Sequence, residues 1–301
     1  MRNVLVTGAA GFIGSTMLDF LSAKKYTVYG IDNFLTGKKD NIQHSSYQDF
    51  KILDLAANLT ELHHLIQQWN IDTIFHFAAL PNIQQSLDQT SLTHTHTLTS
   101  TVNLLEAIKN TSVNKFIFSS TSAVYGNCSV FPTHEQVEIN PLTPYALQKS
   151  MCEQYIKMYT DLYAMSAVCL RYFNVFGERM TNTGAYKSVV SIFKEHKDMN
   201  LPLPITNDGE QRRDFVYVQD VVNANYLCGI TDTKKFNIFN IGYGVNYAVN
   251  EIAKYFSNNI KYIGERVESK ISLCDNTKAR DILKWNPTIN ILDWINLTYT
   301  L

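Results

Sequence analysis

A tyrosine and a lysine stand four positions apart in "PYALQKSMCEQY", residues 144–155, as Tyr145 and Lys149. The leading proline and the long, mostly unbranched side chains after it predict the first turns of a helix. Residues i and i+4 share one helix face, so the ammonium is expected close to the phenol. A phenol titrates near pH 10, and to serve as a base near neutrality it must become more acidic by about 3 units, or ~4 kcal/mol. A neighbouring cation favours the phenolate, which makes the pair a candidate for moving a proton to and from a hydroxyl. Thr121, in "SSTSAVYG" at 119–126, offers a second hydroxyl at a predicted strand end, suited to passing a proton or holding a substrate oxygen. A five-residue spacing decides nothing by itself, because surface helices carry it by chance.

The segment "VLVTGAAGFIGS" adds a strong second signal: a strand, then Gly8, Gly11 and Gly14, then a helix. Gly8 permits a tight turn, Gly11 lets backbone approach a pyrophosphate, and Gly14 allows helix and strand to pack closely. The helix N-terminus supplies N–H groups and a positive dipole end for the anion. Asp32 closes the next strand, "VYGID", 18 positions beyond Gly14. A carboxylate there accepts from ribose hydroxyls and repels a 2′-phosphate, so NAD is expected rather than NADP.

These groups require a scaffold. Up to about residue 172, short apolar or β-branched runs ("NVLVTG", "TVYGID", "FKILDL", "DTIFHFAA", "KFIFSST", "MSAVCLRYF") alternate with amphipathic stretches. Such alternation predicts an α/β fold, a doubly wound parallel sheet of Rossmann type covered by helices on both faces. Beyond "RYFNVFG" the rhythm breaks, and a smaller mixed α/β domain is expected. Residues 1–173 with about 213–245 are assigned to an NAD-binding domain, and about 174–212 with 246–301 to a substrate-binding one.

Composition excludes several classes. The 301 residues are 45% hydrophobic and 18% charged with a net charge of −1, so no basic surface for nucleic acid is expected. No apolar run approaches the ~18 residues of a membrane span, and no signal core precedes the first strand. Five scattered cysteines form no CxxC pair or zinc spacing, which predicts reduced thiols, a cytoplasmic location and no metal. His94 and His96 form an HxH pair with no third ligand in obvious reach, and His63-His64 is expected on a solvated helix face.

The glycine spacing GxxGxxG together with Tyr145 and Lys149 resembles the extended short-chain dehydrogenase/reductase family. The likeness covers almost the whole chain, through "HFAA" at 76–79, "SSTSAVYG", "RYFNVFG" at 171–177 and "GEQRRDFVYVQD" at 209–220. It points to the nucleotide-sugar branch, with UDP-glucose/UDP-N-acetylglucosamine 4-epimerases most similar. The resemblance implies that Thr121, Tyr145 and Lys149 are catalytic, with Lys149 also reaching the nicotinamide ribose. It further implies cofactor contacts from Gly8, Gly11, Phe12, Ile13, Gly14, Asp32, Asn33, Asp54, Leu55, Ala78, Ala79, Ser119 and Tyr172. For the nucleotide sugar it implies Thr121, Ser122, Asn174, Val189, Arg213, Arg266 and Ser272. Arg213 and Asn174 are expected at the diphosphate, and the small Ser272 is expected to admit an N-acetyl group.

The implied reaction is 4-epimerisation of a UDP-hexose or UDP-N-acetylhexosamine: Tyr145 removes the 4-hydroxyl proton, hydride leaves carbon 4 for NAD, and the ketone accepts it back on its other face. A 4,6-dehydratase of the family carries an acid pair just after the threonine, where this chain has Ser122 and Ala123. Another nucleotide-sugar dehydratase or reductase, and a non-catalytic NAD sensor, stand as the alternatives. Two departures bear on binding: Thr206 where an aromatic commonly stacks on the base, and Thr97 where an asparagine is usual. In the resembling family the helices around "LLEAIKN" and "MCEQYIKMY" pair two subunits, so a homodimer is expected.

Overall fold

Alternate residues of "VLV" go to opposite sides of a sheet, and both sides are buried. In a computed structural model of the chain, Val4 and Val6 sit in one apolar core and Leu5 in another. Residues 1–163, 165–180, 188–233, 235–264 and 269–299 are described. Seven strands form one parallel sheet: β1 (Asn3–Thr7), β2 (Thr27–Asp32), β3 (Asp49–Ile52), β4 (Thr73–His76), β5 (Lys115–Thr121), β6 (Ser166–Tyr172) and, after the smaller elements β7 (Asn174–Phe176), β8 (Leu203–Thr206) and β9 (Arg212–Tyr217), β10 (Phe236–Ile241). Their order is β10-β6-β5-β4-β1-β2-β3, with every neighbouring pair parallel. Chain direction across the sheet reverses between β1 and β4, where crevices open at the carboxyl ends of strands.

On one face pack α1 (Phe12–Ala23), α8 (Val218–Ile230) and α10 (Thr277–Leu283). The other face carries α2 (Leu59–Gln68), α5 (Ser100–Ile108) and α6 (Pro144–Leu162). Short helices α3 (Ile83–Asp88) and α4 (Thr90–His94) lead into α5 through a wide π turn, Thr95–Thr99. The expected helix at Tyr145 starts where the sequence places it. Thr143 caps it by accepting from the Ala146 N–H at 3.3 Å, and Pro144 occupies the first turn, where no intrahelical donor is needed.

The remaining elements are α7 (Val189–Asp198), α9 (Val249–Ala253), α11 (Ile291–Tyr299), β11 (Asn246–Ala248) and β12 (Ile260–Ile263). They build a three-stranded sheet β11-β9-β7 and a two-stranded sheet β12-β8 around Phe193, Phe215, Trp294 and Ile295. Two segments differ from the division drawn from sequence. β9 pairs with β7 and β11 rather than joining the large sheet. α10 and the fully buried Trp285, assigned to the smaller part, pack into the core of the large one. Trp285 donates its indole N–H to the Asp220 carbonyl at 2.8 Å, a link that sequence separation hides.

Candidate active site

The glycine turn shapes the first of two cavities. Gly8 adopts φ +66°, and a Cβ on it would lie 2.7 Å from the Ala78 nitrogen. A Cβ on Gly14 would fall 2.0 Å from the Gly8 carbonyl oxygen, so any side chain pushes α1 off β1. Gly11 precedes α1 in extended backbone and has no side chain to cap it, leaving first-turn N–H groups for an anion. Asp32 ends β2 with its carboxylate accepting from the Ala10 N–H (2.9 Å) and the Phe34 N–H (2.7 Å). Burial raises its pKa, and these two donors pull it back.

The cavity has a volume of about 510 Å³. Its wall contains Gly8, Gly11, Phe12, Ile13, Gly14, Asp32, Asn33, Asp54, Leu55, Ala78, Ala79, Ser119, Tyr145 and Lys149, all of them expected at a cofactor. A cavity of this size with an uncapped helix end and a buried carboxylate at the second strand fits a dinucleotide. Tyr172 is the exception. It lines the second cavity, and its hydroxyl is fixed by Asn225, whose amide donates to it at 2.8 Å. The wall also includes residues that no motif singled out, Pro81, Met180 and Ser188 among them. His96 is another: in the π turn its Nδ1 lies 3.7 Å from an Asp54 oxygen. His63, expected in solvent, instead places Nδ1 2.6 Å from the Ala107 carbonyl oxygen and joins α2 to α5.

The pair expected to be catalytic, Tyr145 and Lys149, belongs to this wall. Both are buried, and Thr121, in the wall of the adjoining cavity, draws the Tyr145 phenol toward ionisation. Burial pushes that phenol up to about 12, against the pull of Thr121. Lys149 departs from the expected arrangement. Its Nζ donates to the Ser119 carbonyl at 2.6 Å and lies over the Phe118 ring, 4.5 Å from the centroid. The i+4 spacing brings the side chains to one face, but the ammonium is held by the Ser119 carbonyl of β5. Burial lowers Lys149 to about 8. Beneath it, buried His76 is lowered to about 3 by burial and by the charge of Lys149. Its ring bridges Thr7 (2.7 Å) and Thr101 (3.0 Å).

The second cavity, about 340 Å³, meets the first at Tyr145 and Pro81. Thr121, Ser122, Asn174, Arg213 and Ser272 line it as expected. Asn174 donates to the Asp214 carbonyl at 2.7 Å, and Arg213 Nη1 donates to the Arg212 carbonyl at 3.0 Å. The neighbouring Arg212 turns the other way, to Glu251 at 3.2 Å, as alternation along β9 dictates. The buried Ser272 hydroxyl makes no hydrogen bond among the described residues. Among those residues the wall carries no Asp or Glu, and Ser122 and Ala123 occupy it side by side. Val189 lines neither cavity; it opens α7 and packs into the smaller core, while its neighbour Ser188 reaches the first cavity. Arg266 lies outside the described residues. Thr206 lines neither cavity and accepts from Gln211 at 3.1 Å; Thr97 receives the Leu80 N–H at 3.3 Å and so braces the wall after β4.

Comparison with known proteins agrees with this geometry. Residues 4–242 match the model of the NAD dependent epimerase/dehydratase family. The UDP-glucose 4-epimerase of Mycolicibacterium smegmatis is 33% identical over 307 residues, which cover 98% of this chain and 96% of that protein. The crystal structure of the Thermotoga maritima UDP-glucose 4-epimerase with UDP-glucose has a TM-score of 0.93 at 32% identity, covering 99% of this chain and 97% of the other. That of the Thermus thermophilus UDP-glucose 4-epimerase in complex with NAD has a TM-score of 0.90 at 29% identity, covering 99% and 97%.

Proposed function

The chain belongs to the NAD dependent epimerase/dehydratase family, and from that premise we propose that it catalyses NAD-dependent 4-epimerisation of a UDP-hexose or UDP-N-acetylhexosamine through a transient 4-keto sugar. One observation carries the reading: a buried phenol beside Thr121 stands where the two cavities meet, and the wall of the second cavity holds no carboxylic acid among the described residues. A dehydratase must protonate and expel the 6-hydroxyl, and Ser122 and Ala123 supply neither acid nor base for that step.

When bound, the nicotinamide supplies the hydride acceptor and donor for carbon 4, and a positive charge near the phenol. The chain's own task is proton movement and orientation. Without that charge burial holds Tyr145 protonated, and a cation brought beside it favours the phenolate. Tyr145 then takes the 4-hydroxyl proton as the C–H bond at carbon 4 breaks, and returns it when hydride adds to the opposite face. Thr121 holds the same oxygen, and its hydroxyl stabilises the phenolate before the first step and after the second. Arg213 presents a forked cation to the diphosphate, and Asn174 contributes an amide. Anchored there, the sugar is free to turn in the cavity while the nucleotide stays fixed. Ser272 lines the second cavity, and its small size leaves room for an N-acetyl group.

We assign residues 1–173 and the β10 region to cofactor binding and the smaller sheets to the nucleotide sugar. The free cysteines fit a reducing, cytoplasmic compartment. An apolar stripe on α6 supports a homodimer. Incubating the protein with NAD and UDP-glucose, UDP-N-acetylglucosamine or UDP-glucuronate and resolving products by NMR tests the reaction. A C4 epimer of unchanged mass is expected from the first two; loss of one water would replace the proposal with a dehydratase.

A further inference from the structure

Behind Thr121 and Tyr145 runs a line of buried polar groups that the reaction above does not use. Arg171 on β6 and Glu153 on α6 are 3% and 4% exposed. Their pairing is two-pronged: Nη2 donates to Oε2 at 2.6 Å and Nε to Oε1 at 3.0 Å. Ser120, one residue before Thr121 on β5, donates its hydroxyl to the same Oε1 at 2.5 Å. Arg171 Nη1 donates to the Tyr125 oxygen at 2.9 Å, and the Tyr125 O–H donates to Asn240 Oδ1 on β10 at 2.7 Å. Burial pushes Tyr125 up to about 12, so it keeps the proton that this second bond needs. Asn240 is held in turn, its N–H donating to Glu135 at 2.8 Å and its amide to the Thr133 carbonyl at 2.9 Å. Tyr125 and Thr133 line the second cavity.

Stability alone is a poor reason for such a pair. Taking two ions out of water costs several kcal/mol each, and a well-packed apolar pair of similar volume is often as stable or more so. Position is the better account. Glu153 follows Lys149 by four residues and Tyr145 by eight, so all three share one side of α6. Ser120 adjoins Thr121, and Arg171 adjoins Tyr172. A forked hydrogen bond fixes both distance and angle, and it thereby limits how far α6 slides or rotates against β5 and β6.

We propose that the Glu153–Arg171 pair, with Ser120 and Tyr125, is a positioning unit of the reaction: it holds the α6 residues Tyr145 and Lys149 in register with Thr121 and transmits that register to the wall of the sugar cavity. The proposal rests on the 4-epimerase reading for its kinetic part only. The test is the double variant Glu153→Leu with Arg171→Met, which removes the charges together and leaves none orphaned. It is expected to unfold within a few degrees of the parent and to keep its KM for UDP-sugar. Its kcat falls by roughly 10–100-fold, the scale on which ~1 Å of misplacement acts. Hydrogen exchange at residues 145–150 quickens. Tyr125→Phe, which cuts one arm only, is expected to lower kcat less, again at constant KM. A folded double variant with parental kcat and exchange overturns the proposal. Should the double variant fail to fold, parental kcat and exchange in Tyr125→Phe overturn it instead. If the parent turns over no UDP-sugar, the 4-epimerase reading falls, and the exchange comparison still decides the positioning.

Discussion

Tyr145 is subject to opposed influences: burial holds its proton, whereas Thr121, and a cation when one is bound, release it. Replacing it with phenylalanine keeps the shape and removes the acid–base group. Tyr145→Phe is therefore expected to lower kcat by about 10²–10⁴-fold, the usual range for a general base, with UDP-sugar affinity within a few-fold. Parallel kinetics and equilibrium binding check this, and an unchanged kcat would remove Tyr145 from the mechanism. Lys149 makes a separate prediction. Burial brings it down to about 8, so in protein stripped of cofactor its positive charge disappears as pH rises through that value. A cation in the wall favours an anionic dinucleotide, so NAD affinity of the stripped protein should weaken above about pH 8. Titrations followed by tryptophan fluorescence report the limb, and Lys149→Met should lack it.

At the scale of elements, His76 joins β4 to β1 through Thr7 and to α5 through Thr101. Held near 3 by burial and by Lys149, it stays neutral in the fold, whereas in the unfolded chain it takes a proton below about pH 6.5. The unfolded state thus binds more protons between those values, and stability is lost as pH falls through the window. At ~1.4 kcal/mol per unit, the loss due to this group is about 2 kcal/mol between pH 7 and pH 5. Asp214, raised to about 7 by burial, acts in the opposite sense, so the comparison must be between proteins rather than within one. Urea midpoints of the parent and His76→Gln at both pH values give the difference; equal slopes would place the proton elsewhere. Gly14→Ala tests a second junction: its Cβ meets a carbonyl that has no room to move, so stability falls by about 1–3 kcal/mol and NAD affinity falls with it. Such junctions also mark what was legible beforehand. The strands, glycine turn and α6 follow from apolar runs, backbone sterics and 3.6-residue spacing, all local. What stayed hidden is non-local: β9 finds β11 about 30 residues onward, Arg171 finds Glu153 across two elements, and Lys149 finds the Ser119 carbonyl. Spacing on a helix gives the face a side chain occupies, not the partner it meets there. Val189 shows the same limit: its neighbour Ser188 reaches a cavity, and a shift of one position changes the side a residue faces.

For the whole molecule, the outer face of α6 poses the remaining question. Leu147, Tyr155, Met158 and Leu162 are 48%, 37%, 42% and 64% exposed. At 100° per residue they fall within about 80° of one another, a stripe along a helix of 19 residues. Leu92 on α4 is exposed as well, and α4 abuts α6 through Gln148, which donates to Thr93 at 3.2 Å. Contiguous apolar surface of this kind is unusual on a monomer and marks an association site. A second copy is the proposed occupant, because two such stripes related by a two-fold axis are self-complementary and bury both at once. The interface would lie on the reverse side of the helix that carries Tyr145 and Lys149, so it would stiffen the catalytic element from outside while the Glu153–Arg171 pair fixes it from within. Charge placed in the stripe should separate the copies without touching either cavity. Met158→Glu combined with Leu162→Glu is expected to sediment with the mass of one chain where the parent has that of two. Its kcat should fall while its KM holds, since the loosened part is α6 and not the sugar contacts. A parent that sediments as a single chain at all accessible concentrations would leave the stripe without its proposed partner.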